Sequence, residues 1–180
     1  MQNEMDVLRD VSTKLSRAGI EYMLTGSFAM NYYAEPRMTR DIDIVVALSS
    51  KDADLIVEVF EPEYYVPGDA VRRAIANESQ FNIIHSQGII KVDFIVRKSE
   101  EYRRLEFGRR REVAVDDMKI WIVSREDLII SKLHWARDSH SALQLGDVKN
   151  LLKSRYDNSY LVTWTENLGL SDLLKECLNE

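Results

Sequence analysis

Two aspartates spaced one residue apart, Asp41 and Asp43, lie in the stretch Arg37-Met38-Thr39-Arg40-Asp41-Ile42-Asp43-Ile44-Val45-Val46. The Ile- and Val-rich surroundings predict a strand over 41–48, in which successive side chains point to opposite faces. Asp41 and Asp43 then project together, while Ile42 and Ile44 turn to the core. Parallel carboxylates repel one another, and burial raises their proton affinity further. A hard divalent cation such as Mg2+, which prefers oxygen ligands, resolves that conflict. A third acid, Asp93, sits inside another β-forming run, Lys91-Val92-Asp93-Phe94-Ile95-Val96. If this strand pairs beside the first, three carboxylates converge. Such a cluster can hold two ions about 3.5–4 Å apart, an arrangement used for in-line phosphoryl transfer.

An Asp-x-Asp pair alone is weak, because most such pairs are solvated strand edges. What strengthens it is Gly26-Ser27 upstream. A glycine at a strand-to-helix turn lets the backbone approach a ligand closely. The free amides of a helix N-terminus favour phosphate oxygens. The order along the chain is therefore phosphate cradle, paired metal ligands, third ligand.

The elements that must position these groups can be read from periodicity and punctuation. Met5, Leu8, Val11 and Leu15 recur at helical spacing over 4–18, and Gly19 ends the run. Strand candidates follow at 21–24 and 41–48, with a short helix over 27–34 between them that stops before Pro36. Residues 50–60 are expected to be helical, with Ser50 as the N-cap, and 69–77 form another short helix. The runs 80–85 and 89–96 flank Ser86-Gln87-Gly88 as a hairpin, and 112–115 and 119–123 flank Asp116-Asp117. A helix capped by Ser124 runs to about residue 137, and 141–154, 159–168 and 171–178 are helical.

The stretch Gly26-Ser27-Phe28-Ala29, then Arg37-x-Thr39-x-Asp41-Ile-Asp43-Ile, then Val92-Asp93-Phe94, resembles the nucleotidyltransferase superfamily with the DNA polymerase beta-like fold. Within it the chain looks closest to small bacterial AbiEii toxin-like and minimal nucleotidyltransferases, over roughly residues 5–153. Two further stretches are similar to the family, Glu126-Asp127-Leu128-Ile129-Ile130-Ser131-Lys132-Leu133 and Asp147-Val148-Lys149-Asn150-Leu151-Leu152. The resemblance implies an α/β (α+β) fold, a short mixed sheet flanked by helices. A catalytic core over 1–123 would carry a C-terminal helical segment over 124–180, packed on it as one unit and closing over the nucleotide.

The resemblance also implies the chemistry. Asp41, Asp43 and Asp93 would be catalytic metal ligands for Mg2+ (two ions, with Mn2+ as an alternative). Gly26 and Ser27 would bind the triphosphate of an NTP such as ATP. Lys132 and Asp147 resemble a lysine and an aspartate that toxin-like members place beside the nucleotide. Arg40 is assigned to the nucleotide, and Arg37 more loosely; either arginine could instead neutralise the aspartates. The acceptor of the nucleoside monophosphate is open between tRNA, protein and a small molecule. A toxin–antitoxin role would bring an antitoxin as protein partner. Two alternatives remain: an inactive nucleotidyltransferase-fold protein that binds nucleotide or a toxin partner, and a Mg2+-linked structural domain.

Composition bounds the rest. The chain has 180 residues, net charge −6 and 45% hydrophobic residues, which fits one globular domain. Its longest apolar run, Ile44–Leu48, is far too short to cross a membrane. One cysteine, Cys177, excludes an internal disulfide and a multi-cysteine zinc site. The start, Met-Gln-Asn-Glu-Met-Asp, lacks the basic and apolar regions of a secretory signal, so a cytoplasmic location is expected. Between Arg97 and Arg111 seven basic residues face three acidic ones. The Arg103–Arg111 part of this run is a candidate grip for RNA phosphates, set against the commoner solvated loop. His85, His134 and His140 have no metal-protease spacing, and Trp121, Trp135 and Trp164 are expected to be core or helix-packing residues and not base-stacking platforms. No Gly-x-Gly-x-x-Gly, Walker-type or Gly-x-Ser-x-Gly motif occurs.

Overall fold

Asn3 opens the first helix as a reciprocal cap. Its side chain accepts from the Asp6 N–H, and the Asp6 carboxylate accepts from the Asn3 N–H. This computed structural model describes residues 3–179. Helix α1 (Glu4–Arg17) buries Val7, Leu8, Val11 and Leu15 along one stripe. Strand β1 (Tyr22–Thr25) is buried throughout and leads directly into α2 (Gly26–Tyr33). Strand β2 (Ile42–Val46) follows, then a single 3-10 turn (Ser50–Asp52) and α3 (Ala53–Phe60). The cap of this turn is Ser49 and not Ser50: the Ser49 N–H and hydroxyl both donate to Asp52.

The chain continues through β3 (Tyr64–Tyr65), α4 (Gly68–Ala76), β4 (Gln80–His85) and β5 (Ile90–Val96). Next come α5 (Glu101–Gly108), β6 (Arg111–Val115) and β7 (Met118–Ile122). The β6–β7 hairpin turns at Asp116, whose φ of 51° is the left-handed conformation that aspartate tolerates. Helices α6 (Arg125–Ser139), α7 (Ala142–Leu152), α8 (Asn158–Asn167) and α9 (Ser171–Leu178) complete the fold. No helix among the described residues is long and apolar enough to cross a membrane.

The seven strands form one mixed α/β sheet in the order β3-β4-β5-β2-β1-β7-β6. Strands β2 and β5 are parallel, β1 and β2 antiparallel, β1 and β7 parallel. The two strands bearing the motif acids are thus central neighbours, with Ile42, Ile44, Val92 and Phe94 fully buried beneath them. One hydrophobic cluster runs through residues of the sheet and of α1–α9, including Leu128, Leu133, Val148 and Leu161 from the C-terminal helices.

Two departures from the sequence reading affect the site. Asp41 precedes β2 and is exposed, because the strand begins at Ile42. The basic run is not a loop: it contains α5, whose Tyr102, Glu106 and Phe107 are buried.

Candidate active site

The β2–β5 register sets Asp43 directly opposite Asp93. On the other side of β2, Thr25 at the end of β1 opposes Asp43. The residue after Thr25 is Gly26, with φ of +63°. A Cβ at this position would fall on the Asp43 carboxylate, 2.7 Å from its Cγ and 2.9 Å from its Cβ. Gly26 is therefore required twice, for its left-handed backbone and for the space that the Asp43 carboxylate fills.

Asp41, Asp43 and Asp93 line a cavity of about 450 Å³ together with Gly26, Ser27, Arg37, Arg40 and Lys132. Burial, followed by the charges of Asp93 and Asp41, raises the Asp43 carboxyl above its ordinary range, with Lys132 and Lys91 offsetting part of this. Lys91 Nζ lies 2.8 Å from Asp93 Oδ2, and this bond foremost raises the Lys91 ammonium. Among the described residues no three acidic, histidine or cysteine side chains are gathered closely enough to hold an ion as they stand. The donor chemistry nonetheless suits a hard cation: the acids are carboxylates, two are opposed across parallel strands, and they already draw in a lysine ammonium. Asp41, Asp43 and Asp93 are the residues that would hold it.

A second layer of charge ties the C-terminal helices to this cavity. Arg37 donates through Nε to Asp147 Oδ1 at 2.9 Å and through Nη2 to Asp147 Oδ2 at 2.9 Å. Its Nη2 also donates to Ser27 Oγ at 2.7 Å. Lys132 Nζ donates to Asp147 Oδ2 at 2.7 Å and to Gln144 Oε1 at 3.2 Å. Burial opposes ionisation of Asp147, but the bonds from Arg37 and Lys132 outweigh it and hold the carboxyl below its usual range. For Lys132 burial prevails and lowers the ammonium, with Asp147 restoring part of the loss. Asn31 fixes the loop that delivers Arg37: its side chain both donates to the Arg37 carbonyl and accepts from the Arg37 N–H. Arg37 is thus a bridge from the Ser27 turn to α7, and it does not neutralise the motif aspartates. Arg40 is exposed at the cavity edge. Asn31 and Gln144 were not legible from the sequence, since neither forms part of a motif.

Four of the arginines read as an RNA grip are held within the fold, while Arg104 is exposed on α5. Arg103 binds Glu106 and Ser131. Arg109 donates to fully buried Asp127 at 3.0 Å and lies over the Tyr160 ring. Arg110 pairs with Glu21, and Arg111 donates to the Tyr33 hydroxyl. This part of the run is a set of struts between α5, β6, α6 and α8. Of the histidines, His85 is buried against Tyr64, and His140 is exposed beside Glu176. Trp164 packs on Tyr102 and Tyr160 as expected. Trp121 and Trp135 do not pack in the core: Trp121 is an exposed residue of β7 beside Arg110, and Trp135 is 65% exposed at the cavity wall.

With this geometry the fold can be set beside known proteins. No curated protein sequence matches the chain. The lincosamide antibiotic adenylyltransferase LnuA, solved with lincomycin bound, is similar at a TM-score of 0.52 and 15% identity, over 82% of this chain and 94% of that one. An antigenic nucleotidyltransferase-like protein from Paracoccidioides brasiliensis aligns at 0.55 and 15% identity, over 96% and 92%. The antibiotic-resistance factor ANT(2'')-Ia aligns at 0.53 and 9% identity, over 93% and 86%. At such identities the likeness concerns the fold. A family model described as nucleotidyl transferase AbiEii toxin of a type IV toxin–antitoxin system matches residues 8–179, from within α1 to the residue after α9. The chain belongs to the AbiEii nucleotidyltransferase toxin family.

Proposed function

We propose that the chain transfers a nucleoside monophosphate from an NTP to a hydroxyl or amine of an acceptor, and that it serves as the toxin of a toxin–antitoxin pair. The observation that carries this reading is the opposition of Asp43 and Asp93 across parallel strands beside a glycine cradle. The acceptor oxygen or nitrogen forms a bond to the α-phosphorus, the bond to the bridging oxygen breaks, and pyrophosphate leaves. Asp41, Asp43 and Asp93 would hold Mg2+, which when bound would supply charge screening for the triphosphate and polarisation of the α-phosphate. Asp93 takes up the acceptor proton. The Gly26-Ser27 turn presents the first amides of α2 to phosphate oxygens. Arg37 and Lys132, anchored on Asp147, place two further cations on the same wall. The family supports an antitoxin as partner.

A second reading, nucleotide binding without turnover, has one observation behind it: the Lys91 ammonium on Asp93. Thermal melting with each NTP, with and without Mg2+, tests the nucleotide site common to both readings. Ligand at 100 times its dissociation constant adds about 2.7 kcal/mol, or about 5–11 °C for a chain of this size. Absence of a shift with every NTP plus Mg2+ would reject the site. Turnover is then decided by label transfer.

A further inference from the structure

Alongside the carboxylate cavity lies a second one of about 430 Å³. Thr25, Ile95, Ser131 and Trp135 form a wall common to both. Strand β5 runs past the two in sequence. Asp93 lines the first, Ile95 both, and Arg97, just beyond the strand, the second. Residues at i, i+2 and i+4 share a sheet face, and four residues of strand span about 13 Å. A molecule anchored at Arg97 could therefore extend along β5 to place a reacting group beside Asp93.

The charges of this second cavity are unevenly satisfied. Farther along the basic run Arg103, Arg109, Arg110 and Arg111 all have internal partners. Arg97 and Lys98 have none: among the described residues neither side chain makes a hydrogen bond or ion pair. Arg97 is nevertheless held in place, with its guanidinium over the Phe107 ring and its N–H donating to the Val46 carbonyl. Arg97 Nε and His134 Nδ1 are both buried without a partner. Leaving such atoms unpaired is costly, and a ligand that recruits them recovers the loss.

The acids here are already committed. Glu78 accepts from the Ser99 N–H and hydroxyl, and Glu106 from Arg103 and Ser131. Glu78 keeps its negative charge and faces Arg97 and Lys98, but with Arg103 paired to Glu106 the two cations outnumber it, so the cavity keeps an excess of positive charge that suits an anion and disfavours a polycationic acceptor. Exposed Trp135 on the common wall adds an apolar face for a ring.

The geometry points to this cavity as the acceptor site, taking a phosphate-bearing acceptor whose anion is read by Arg97 and Lys98. This assignment rests on the proposed transfer reaction for its catalytic meaning, but the binding claim stands on its own. It is tested by calorimetric titration of the full chain with ribose 5-phosphate, ribose and a short single-stranded oligoribonucleotide. The wild type is compared with Arg97→Gln and Lys98→Gln, circular dichroism confirming the fold of each. A non-hydrolysable NTP analogue with Mg2+ is titrated into the same proteins.

Ribose 5-phosphate should bind the wild type while ribose does not. Each substitution should weaken it about tenfold or more, the scale of a charge-assisted hydrogen bond, and the NTP analogue should change by no more than about twofold. Tighter binding of the oligoribonucleotide assigns the phosphate to a polynucleotide, whereas equal or weaker binding assigns it to a free sugar phosphate. The inference is overturned if the wild type does not prefer ribose 5-phosphate to ribose. Unchanged binding in both variants, or a parallel loss of the NTP analogue, overturns it as well. Failure of the wild type to bind the NTP analogue would instead count against the donor site, leaving the phosphate comparison readable.

Discussion

Replacing Gly26 by alanine adds two penalties that the structure allows to be separated. The backbone at Gly26 has φ +63°, which costs a residue with a Cβ about 1–2 kcal/mol. The new Cβ would also displace the Asp43 carboxylate, and overpacking of this kind costs about 1–3 kcal/mol. A total near ~3 kcal/mol lowers the melting temperature by about 6–12 °C. Gly19 supplies the control, because its φ is +69° and nothing lies within 4 Å of the Cβ it would acquire. Gly19→Ala should show the backbone penalty alone. In an Asp43→Ala background, Gly26→Ala loses the clash with the carboxylate and keeps the 2.9 Å approach to Asp43 Cβ. Its cost should then fall towards that of Gly19→Ala. Urea unfolding of wild type, both glycine variants, Asp43→Ala and the double variant, with chelator present, gives the coupling directly. If Gly26→Ala costs the same in both backgrounds within about 0.5 kcal/mol, Gly26 does not cradle Asp43.

Three further outcomes follow from the same contacts. Arg109→Ala should destabilise by about 2–3 kcal/mol, less than a fully buried pair because Arg109 is partly exposed and hydroxyl partners of Asp127 remain; thermal melting that does not change would remove its role as a strut. Lys132→Met should raise the KM for NTP and also lower stability, since Asp147 loses one of its two cationic partners; a KM equal to wild type would confine Lys132 to structure. Without metal, Asp43→Asn should melt above wild type at neutral pH. Because the folded Asp43 carboxyl is raised, its contribution favours the fold below the unfolded value of about 3.9 and is lost as pH rises through the folded value. The variant's advantage should therefore vanish on acidification, and an advantage independent of pH would contradict the burial of that charge.

Much of the site was legible because it is local. Alternating Ile and Val around Asp43 and Asp93 fixed two half-buried strands, and Gly26-Ser27 marked the turn. What could not be read was non-local. Arg37 and Asp147 are 110 residues apart in the chain, so their pairing had no sequence signature. The β2–β5 register depended on the sheet order, which periodicity does not encode. Helix α5 carries no clean apolar stripe, because four of its eight residues are charged and one of its buried positions is the acid Glu106, so periodicity does not mark it. The same charges suggested an outward RNA grip, whereas the buried acids Glu106 and Asp127 turn Arg103 and Arg109 inward. Asp41 was placed one residue too far inside its strand, a boundary that propensity does not resolve.

The central claim is metal-assisted transfer at Asp43 and Asp93, and label transfer from α-labelled NTP tests it most directly. Wild type, Asp43→Asn and Asp93→Asn are incubated with Mg2+, each α-labelled NTP and cell lysate, after their folds are verified by melting. Loss of one ligand to charge developing in the transition state should cost at least ~3 kcal/mol, about a hundredfold in rate. The account predicts a labelled macromolecule or small molecule with wild type, and labelling reduced at least to that extent in both variants. Labelling by wild type that persists undiminished in both would contradict it.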